Sequence, residues 1–225
     1  MIKEAIATLV DRRSLGTEEA AAVMREIMEG QATPSQLSAF MVALKMKGET
    51  ADEITGLART MRGKAVPVKA SGPVIDIVGT GGDGANTINV STTAALIAAG
   101  AGLKVAKHGN RAATSRCGSA DVLEALGVKL ELSSEQAALC LEEIGITFMF
   151  AVSFHPAMKF AGPTRREVGI PSVFNILGPL TNPAGAERYL LGVAREELVE
   201  KLALVLSNLG CRQSAPTGIF ASPIP

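Results

Sequence analysis

Residues 79–84 read Gly-Thr-Gly-Gly-Asp-Gly, a glycine turn whose bare amides can approach phosphate oxygens closely. An apolar run, Val74 to Val78, precedes it, and Asn89, Val90, Ser91 and Thr92 follow with donors at the start of a helix. The spacing also fits the G-x-G-x-x-G of a dinucleotide site. That fingerprint needs an acid roughly 20 residues later for the ribose hydroxyl, and residues 84–120 contain no Asp or Glu. The Gly-Lys-Ser/Thr ending of a Walker A loop is absent as well. Two readings remain for this segment alone: a phosphate-binding turn, or a merely tight strand-to-helix turn.

A second segment shifts the balance toward phosphate. Lys104, Lys107, Arg111 and Arg116, with His108 and Asn110, lie inside the same acid-free window. Lys+Arg and Asp+Glu each total 22, so the chain as a whole has no net field. A local cationic pocket in a neutral protein suits a small polyanion better than a nucleic-acid track. Lys104 or Arg116 taken singly reads as loop decoration, whereas Lys107-His108-Gly109-Asn110-Arg111 together reads as a site.

These residues must be held by something. Residues 1–70 read as four helices. Thr33-Pro34-Ser35-Gln36 and Thr50-Ala51-Asp52-Glu53 are capping boxes followed by apolar stripes and closed by Gly48 and Gly63. Thr17 with Glu18 and Glu19 opens another helix, and residues 2–12 offer the remaining one. From Pro73 onward, short apolar strands (74–78, 103–106, 148–151, 188–193) alternate with helices (91–100, 121–126, 133–144, 195–209). Such alternation predicts crossover units and a mainly parallel sheet, with ligands at the carboxyl ends of the strands. Residues 155–186, rich in Pro and Gly, read as short helices and linker crossing between two domains. The expected fold is therefore α/β. A small helical domain (1–70, with a return segment at 155–186) joins a mainly parallel sheet domain (71–154 and 187–212) that is incomplete at its C-terminus.

Composition excludes several classes. At 225 residues and 47% apolar content the chain is neither disordered nor fibrous. Cys117, Cys140 and Cys211 have no metal-type or paired spacing. No leader is evident and no apolar run nears the ~20 residues of a membrane span. These features imply a cytoplasmic protein without disulfides.

The motifs already described, together with Cys117-Gly118-Ser119-Ala120-Asp121, His155-Pro156-Ala157-Met158, Arg165-Arg166-Glu167 and Phe174-Asn175-Ile176-Leu177-Gly178-Pro179-Leu180-Thr181-Asn182-Pro183, resemble the anthranilate phosphoribosyltransferase family. This is a glycosyltransferase family of tryptophan biosynthesis on the fold shared with pyrimidine nucleoside phosphorylases. The resemblance implies transfer of a phosphoribosyl group from phosphoribosyl pyrophosphate (PRPP) to anthranilate, with Mg2+ as cofactor and a homodimer formed through the N-terminal helices. It implies a PRPP cradle of Gly79, Gly82, Asp83, Thr87, Asn89, Val90, Ser91, Thr92, Lys107, His108, Gly109, Asn110, Arg111, Ala112, Ala113, Thr114, Ser115 and Ser119. It further implies that Gly79, Asn110, Arg165, His155 and Pro156 hold the anthranilate and that Ser91 touches the metal. A guanidinium suits a benzoate, and Arg165 is expected to reach the ligand across a cleft from the second domain. His108 is expected to line the ligand; a proton-transfer role is the lesser reading, because an anilinium loses its proton readily to water.

The resemblance runs to about Arg212. Members of the family are longer and continue with a strand and an Asp-Glu pair that ligates magnesium. Here residues 213–225 carry three prolines and no acid, which reads as an aberrant tail unable to form the expected central strand. Little or no turnover is expected on that ground. The alternatives are a pyrimidine nucleoside phosphorylase-like enzyme, or a non-catalytic binding relative. Nucleic acid is disfavoured by the zero net charge, and a membrane partner by the lack of a span.

Overall fold

The computed structural model describes residues 1–81, 88–112 and 116–218. Gly82, Asp83, Thr87, Ala113, Thr114 and Ser115 of the expected PRPP cradle lie outside them. The chain divides into two compact units, Met1–Ala65 with His155–Thr181, and Val66–Phe154 with Asn182–Pro225.

The first unit is helical. It opens with α1 (Ile2–Val10), α2 (Thr17–Met28), α3 (Pro34–Lys47) and α4 (Ala51–Gly63). Thr33 and Thr50 cap α3 and α4 through reciprocal bonds with Gln36 and Glu53, so the first-turn amides have partners before any tertiary packing forms. The apolar stripes then bury Met24, Ile27, Leu37, Phe40, Leu44, Ile54 and Leu57. At the crossing of α2 and α4, a side chain on Gly56 would run into the carbonyl of Thr17 and the Cβ of Ala20, so only glycine lets the two helices approach this closely. Glu53 is fully buried and does more than cap α4. Its carboxylate accepts the Leu15 and Thr50 amides at 2.9 and 2.8 Å and pairs with Lys47 at 2.9 Å.

The second unit is a five-stranded parallel sheet in the order β3-β2-β1-β4-β5. Its elements in chain order are β1 (Ile75–Gly79), α5 (Val90–Gly100), β2 (Val105–Gly109), α6 (Ser119–Ala125), α7 (Ser134–Ile144), β3 (Ile146–Phe150) and α8 (Ala151–Phe154). After the return through the helical unit by α9 (Gly162–Val168) and α10 (Val173–Leu177), the sheet resumes with β4 (Arg188–Gly192), α11 (Val199–Asn208) and β5 (Gln213–Thr217). Small apolar clusters fill it: Ile77, Ala95 and Val105 on one side, and Ala120, Leu123, Leu130, Phe148 and Phe150 elsewhere. Order reverses at β1 and β4, whose outgoing connections lead to opposite sides, which is the switch point where ligands of open parallel sheets bind.

Two expectations are corrected. The second strand begins at Val105, because Gly102 (φ 92°) turns the chain out of α5 and Leu103 stays exposed. Lys107, His108 and Gly109 therefore sit within β2, paired with β3, and not in a loop after it. The proline-bearing tail also forms a strand after all. Residues 213–217 pair with β4, Pro216 opposite Leu191, at the outer edge of the sheet where a missing N–H is tolerated.

Candidate functional site

The carboxyl ends of β1 and β2 bring the two motif-bearing segments side by side. At the end of β1, the Thr80 amide donates to Gly192 O at 2.9 Å, and the Thr80 hydroxyl accepts the Ala194 amide at 3.1 Å. The glycine turn thus leaves the sheet pinned to the end of β4. Its far side leads to Asn89, the N-cap of α5, which makes no side-chain capping bond. Thr92 in the first turn of α5 donates to the Ser119 hydroxyl at 2.9 Å, tying this helix start to the start of α6. Two helix N-termini with their partial positive charge are thereby fixed next to each other.

Lys107 is the buried cation of the site, 2% exposed. Its ammonium donates to Ile77 O at 2.7 Å and to Ser91 Oγ at 3.3 Å. Burial pulls its pKa down to about 8, while the nearby charge of Asp76 pulls the other way. Asp76 is fully buried, and burial pushes its carboxyl up to about 6 against the opposing pull of Lys107, Asn182 and the His108 amide. Asn182 Nδ2 donates to Asp76 Oδ2 and to Ala106 O, both at 2.7 Å. At neutral pH both Asp76 and Lys107 are thus mainly charged. Neither Asp76 nor Asn182 was among the site residues inferred from sequence. A charged residue inside an apolar strand, Val74-Ile75-Asp76-Ile77-Val78, is the signal that could have found the first.

The rest of the second segment is less cationic than its composition. Arg111 forms a two-pronged bond to Glu124 (2.7 and 2.9 Å) and reaches Asp121 at 3.1 Å, which together hold its pKa above the ordinary value. Lys104 binds Glu142 at 2.6 Å, at the opposite end of β2 from the site. The acid-free stretch is therefore not acid-free in space: Lys104 and Arg111 are paired with carboxylates, which leaves the buried Lys107 and the exposed Arg116 as its other cations. Asp121 also accepts the amides of Ala112 and Gly118, at 2.9 and 2.8 Å, which brings these two backbone positions to one carboxylate. A Cβ on Gly118 would strike the backbone of Arg111 and Ala112. Asn110 is exposed, with its Oδ1 accepting the Arg111 amide at 2.8 Å. His108 is buried, its backbone amide donating to Asp76 at 3.2 Å.

The residues expected at the anthranilate belong to the helical unit, apart from Gly79 and Asn110. Arg165 on α9 lies over the Phe174 ring, 5.0 Å from its centre. Burial lowers its pKa, and no carboxylate pairs with it among the described residues. His155 is buried, with Nε2 donating to Thr181 O at 3.0 Å, and burial pushes its pKa down to about 4. It is neutral near pH 7, with that nitrogen committed to the fold. Pro156 is exposed at the first position of a 3₁₀ turn.

Residues 3–65 match the helical bundle domain of the glycosyl transferase family, and residues 71–216 match its a/b domain. The similarity thus continues past Arg212, through most of β5. An anthranilate phosphoribosyltransferase of Dehalococcoides mccartyi is 60% identical over 214 residues, covering 95% of this chain and 63% of that protein. The crystal structure of the Thermus thermophilus anthranilate phosphoribosyltransferase superposes with a TM-score of 0.88 at 50% identity, covering 92% of this chain and 63% of that one. The Saccharomyces cerevisiae enzyme, solved in complex with PRPP and Mg, gives a TM-score of 0.86 at 30% identity over 94% of this chain and 64% of its own. The chain spans somewhat under two thirds of the length of these relatives.

Proposed function

The chain belongs to the glycosyl transferase family, in both its helical bundle and its a/b domain, and from that premise we propose that it acts on PRPP and anthranilate. In this reading the C1–O bond to pyrophosphate breaks while a C1–N bond forms to the arylamine. Pyrophosphate departs with the electron pair, and the resulting anilinium gives its proton to water. The product is N-(5-phosphoribosyl)anthranilate, an intermediate of tryptophan biosynthesis.

The observation that carries the reading is the ammonium of Lys107 seated against Ser91 at the start of α5, with the α6 start tied in through Thr92 and Ser119. Fixed donors aimed where a leaving group gains charge stabilise the transition state without reorganising during the reaction. Gly79, the α5 start and Lys107 take the sugar and pyrophosphate, and Asn110 stands at the lip. Arg165, lacking a carboxylate of its own among the described residues, takes the carboxylate of anthranilate, with His155 and Pro156 shaping the surrounding turn. His108 lines the ligand without transferring a proton.

Magnesium comes to this reading from the yeast relative. The described residues do not fit a magnesium centre held by the protein: no three His, Cys, Asp or Glu side chains gather, and Ser91 Oγ already faces the Lys107 ammonium at 3.3 Å. Magnesium usually keeps several waters and leans on substrate phosphates, so we assign it to the phosphates of PRPP. A homodimer fits the exposed Val10 and Met46 on α1 and α3. Among the described residues no helix is long and apolar enough to cross a membrane, and a cytoplasmic setting suits the substrates.

Calorimetric titration with PRPP, and loss of anthranilate fluorescence in the presence of PRPP and magnesium, test binding and turnover separately. Saturable PRPP binding that Lys107→Met weakens is expected; a chain that binds neither ligand overturns the reading.

A further inference from the structure

The seam between β1 and β2 differs from every other seam of the sheet. β1 pairs with β4, β2 with β3, and β4 with β5 through five residues each, whereas β1 and β2 share only Ile75 with Val105. Beyond that pair, side chains replace the ladder. The His108 amide donates to Asp76 Oδ1 at 3.2 Å, Ala106 O accepts from Asn182 at 2.7 Å, and Ile77 O accepts from Lys107 at 2.7 Å. Buried main-chain groups must find partners, and here one carboxylate, one amide and one ammonium supply them at the ligand end of the two strands.

Such a seam is costly in energy. Desolvating each ion costs several kcal/mol before pairing recovers any of it, and an ordinary ladder would have satisfied the same backbone groups with no charge. Asp76 has no solvent exposure, so it cannot touch a ligand; whatever it does, it does through its neighbours. Asn182 is tied down in turn, its Oδ1 accepting the Ala184 amide at 2.8 Å. Lys107 stands in the same seam, its ammonium on the carbonyl of Ile77, the residue after Asp76, and it reaches from there to Ser91.

We propose that Asp76 and Asn182 are positioning residues that hold the Lys107 ammonium in the open seam, aimed at the pyrophosphate of the substrate. The inference rests on the PRPP reading above. Asp76 supplies the counter-charge that keeps an ammonium in a buried gap, and Asn182 fixes the carboxylate and closes the gap at Ala106.

A double-mutant cycle on the whole chain tests this, with inorganic pyrophosphate as the probe in titration calorimetry and thermal melting alongside. Asp76→Asn and Asn182→Ala are each expected to weaken pyrophosphate binding about tenfold, the scale of one charge-assisted hydrogen bond. In a Lys107→Met background neither should cost anything more, because the group through which they act is gone. Losses that add to that of Lys107→Met overturn the proposal, since a purely structural role would lower affinity with or without the lysine. So does full affinity in both single variants. If Asp76→Asn fails to fold, the Asn182→Ala cycle decides alone. Absence of pyrophosphate binding by the unmodified chain refutes the PRPP reading itself, whereas binding with additive losses refutes only the positioning role.

Discussion

The helical unit and the sheet unit treat buried charge in opposite ways. In the first, Glu53 meets Lys47 directly and saturates its remaining lone pairs with the Leu15 and Thr50 amides. In the second, Asp76 and Lys107 are buried without a direct ion pair, each bonded mainly to backbone and amide groups across one seam. The apolar surfaces differ too. α2, α3 and α4 bury their stripes, while α5 buries only Thr92 and Ala95 and leaves Leu96 and Ile97 exposed at 49% and 68%. A charge that closes on itself stabilises a fold. A charge held by fixed dipoles remains able to answer an incoming anion.

The sharpest way to break this contrast is Glu53→Ala, which leaves the buried Lys47 ammonium and two amides without their partner. A loss of about 4 kcal/mol is expected in urea unfolding, and a loss below about 1 kcal/mol would mean that the helical unit does not depend on the pair. Gly56→Ala follows, at about 3 kcal/mol, because its Cβ would meet the Thr17 carbonyl across the α2–α4 crossing. Unfolding curves that overlay the unmodified chain would show the crossing to be looser than described.

pH separates the units by sign. His155 has a folded pKa of about 4 against an ordinary 6.5, so its stability contribution is complete above pH 6.5 and is lost as pH falls through 4. That loss is about 3 kcal/mol, and His155→Gln should remove it. Asp76 has a folded pKa of about 6 against 3.8. Its contribution is therefore complete below pH 3.8 and is lost as pH rises through 6; Asp76→Asn should abolish that opposing trend. Urea midpoints from pH 4 to 6.5 for the three chains, with the single tyrosine, Tyr189 on β4, reporting on the sheet, check both signs. The smallest effect comes from the caps. Thr33→Ala in the helical unit and Ser133→Ala at α7 in the sheet unit should each cost about 1 kcal/mol, and a marked inequality would mean that one helix leans on its cap more than the other.

The helices were legible because their signals are local: Thr33 with Gln36, Thr50 with Glu53 and Ser133 with Gln136 stand three residues apart and bond as their spacing predicts. The parallel sheet followed from the alternation of apolar runs and helices. The second strand was set too early because Leu103 is apolar yet exposed, and hydrophobicity alone does not say that a Gly102 turn ends only there. The tail was misjudged because proline excludes a central strand but not an edge one. At the candidate site, the glycine turn and the Lys107 segment stood out by residue type and spacing, but their electrostatics could not be read there. Glu124 neutralises Arg111 from 13 positions away and Asn182 reaches Asp76 from 106.

Sequence by itself therefore determined where the capped helices begin and that strands and helices alternate, and it singled out the glycine turn and the Lys107 segment as candidates, since each depends on neighbours along the chain. Tertiary structure decided which of the cations stay free, that β1 and β2 part after one pair, and that Asp76, Asn182 and Lys107 meet in the gap. The reason is physical: charge and desolvation act through space, and the partners that settle them are brought together only when distant segments pack.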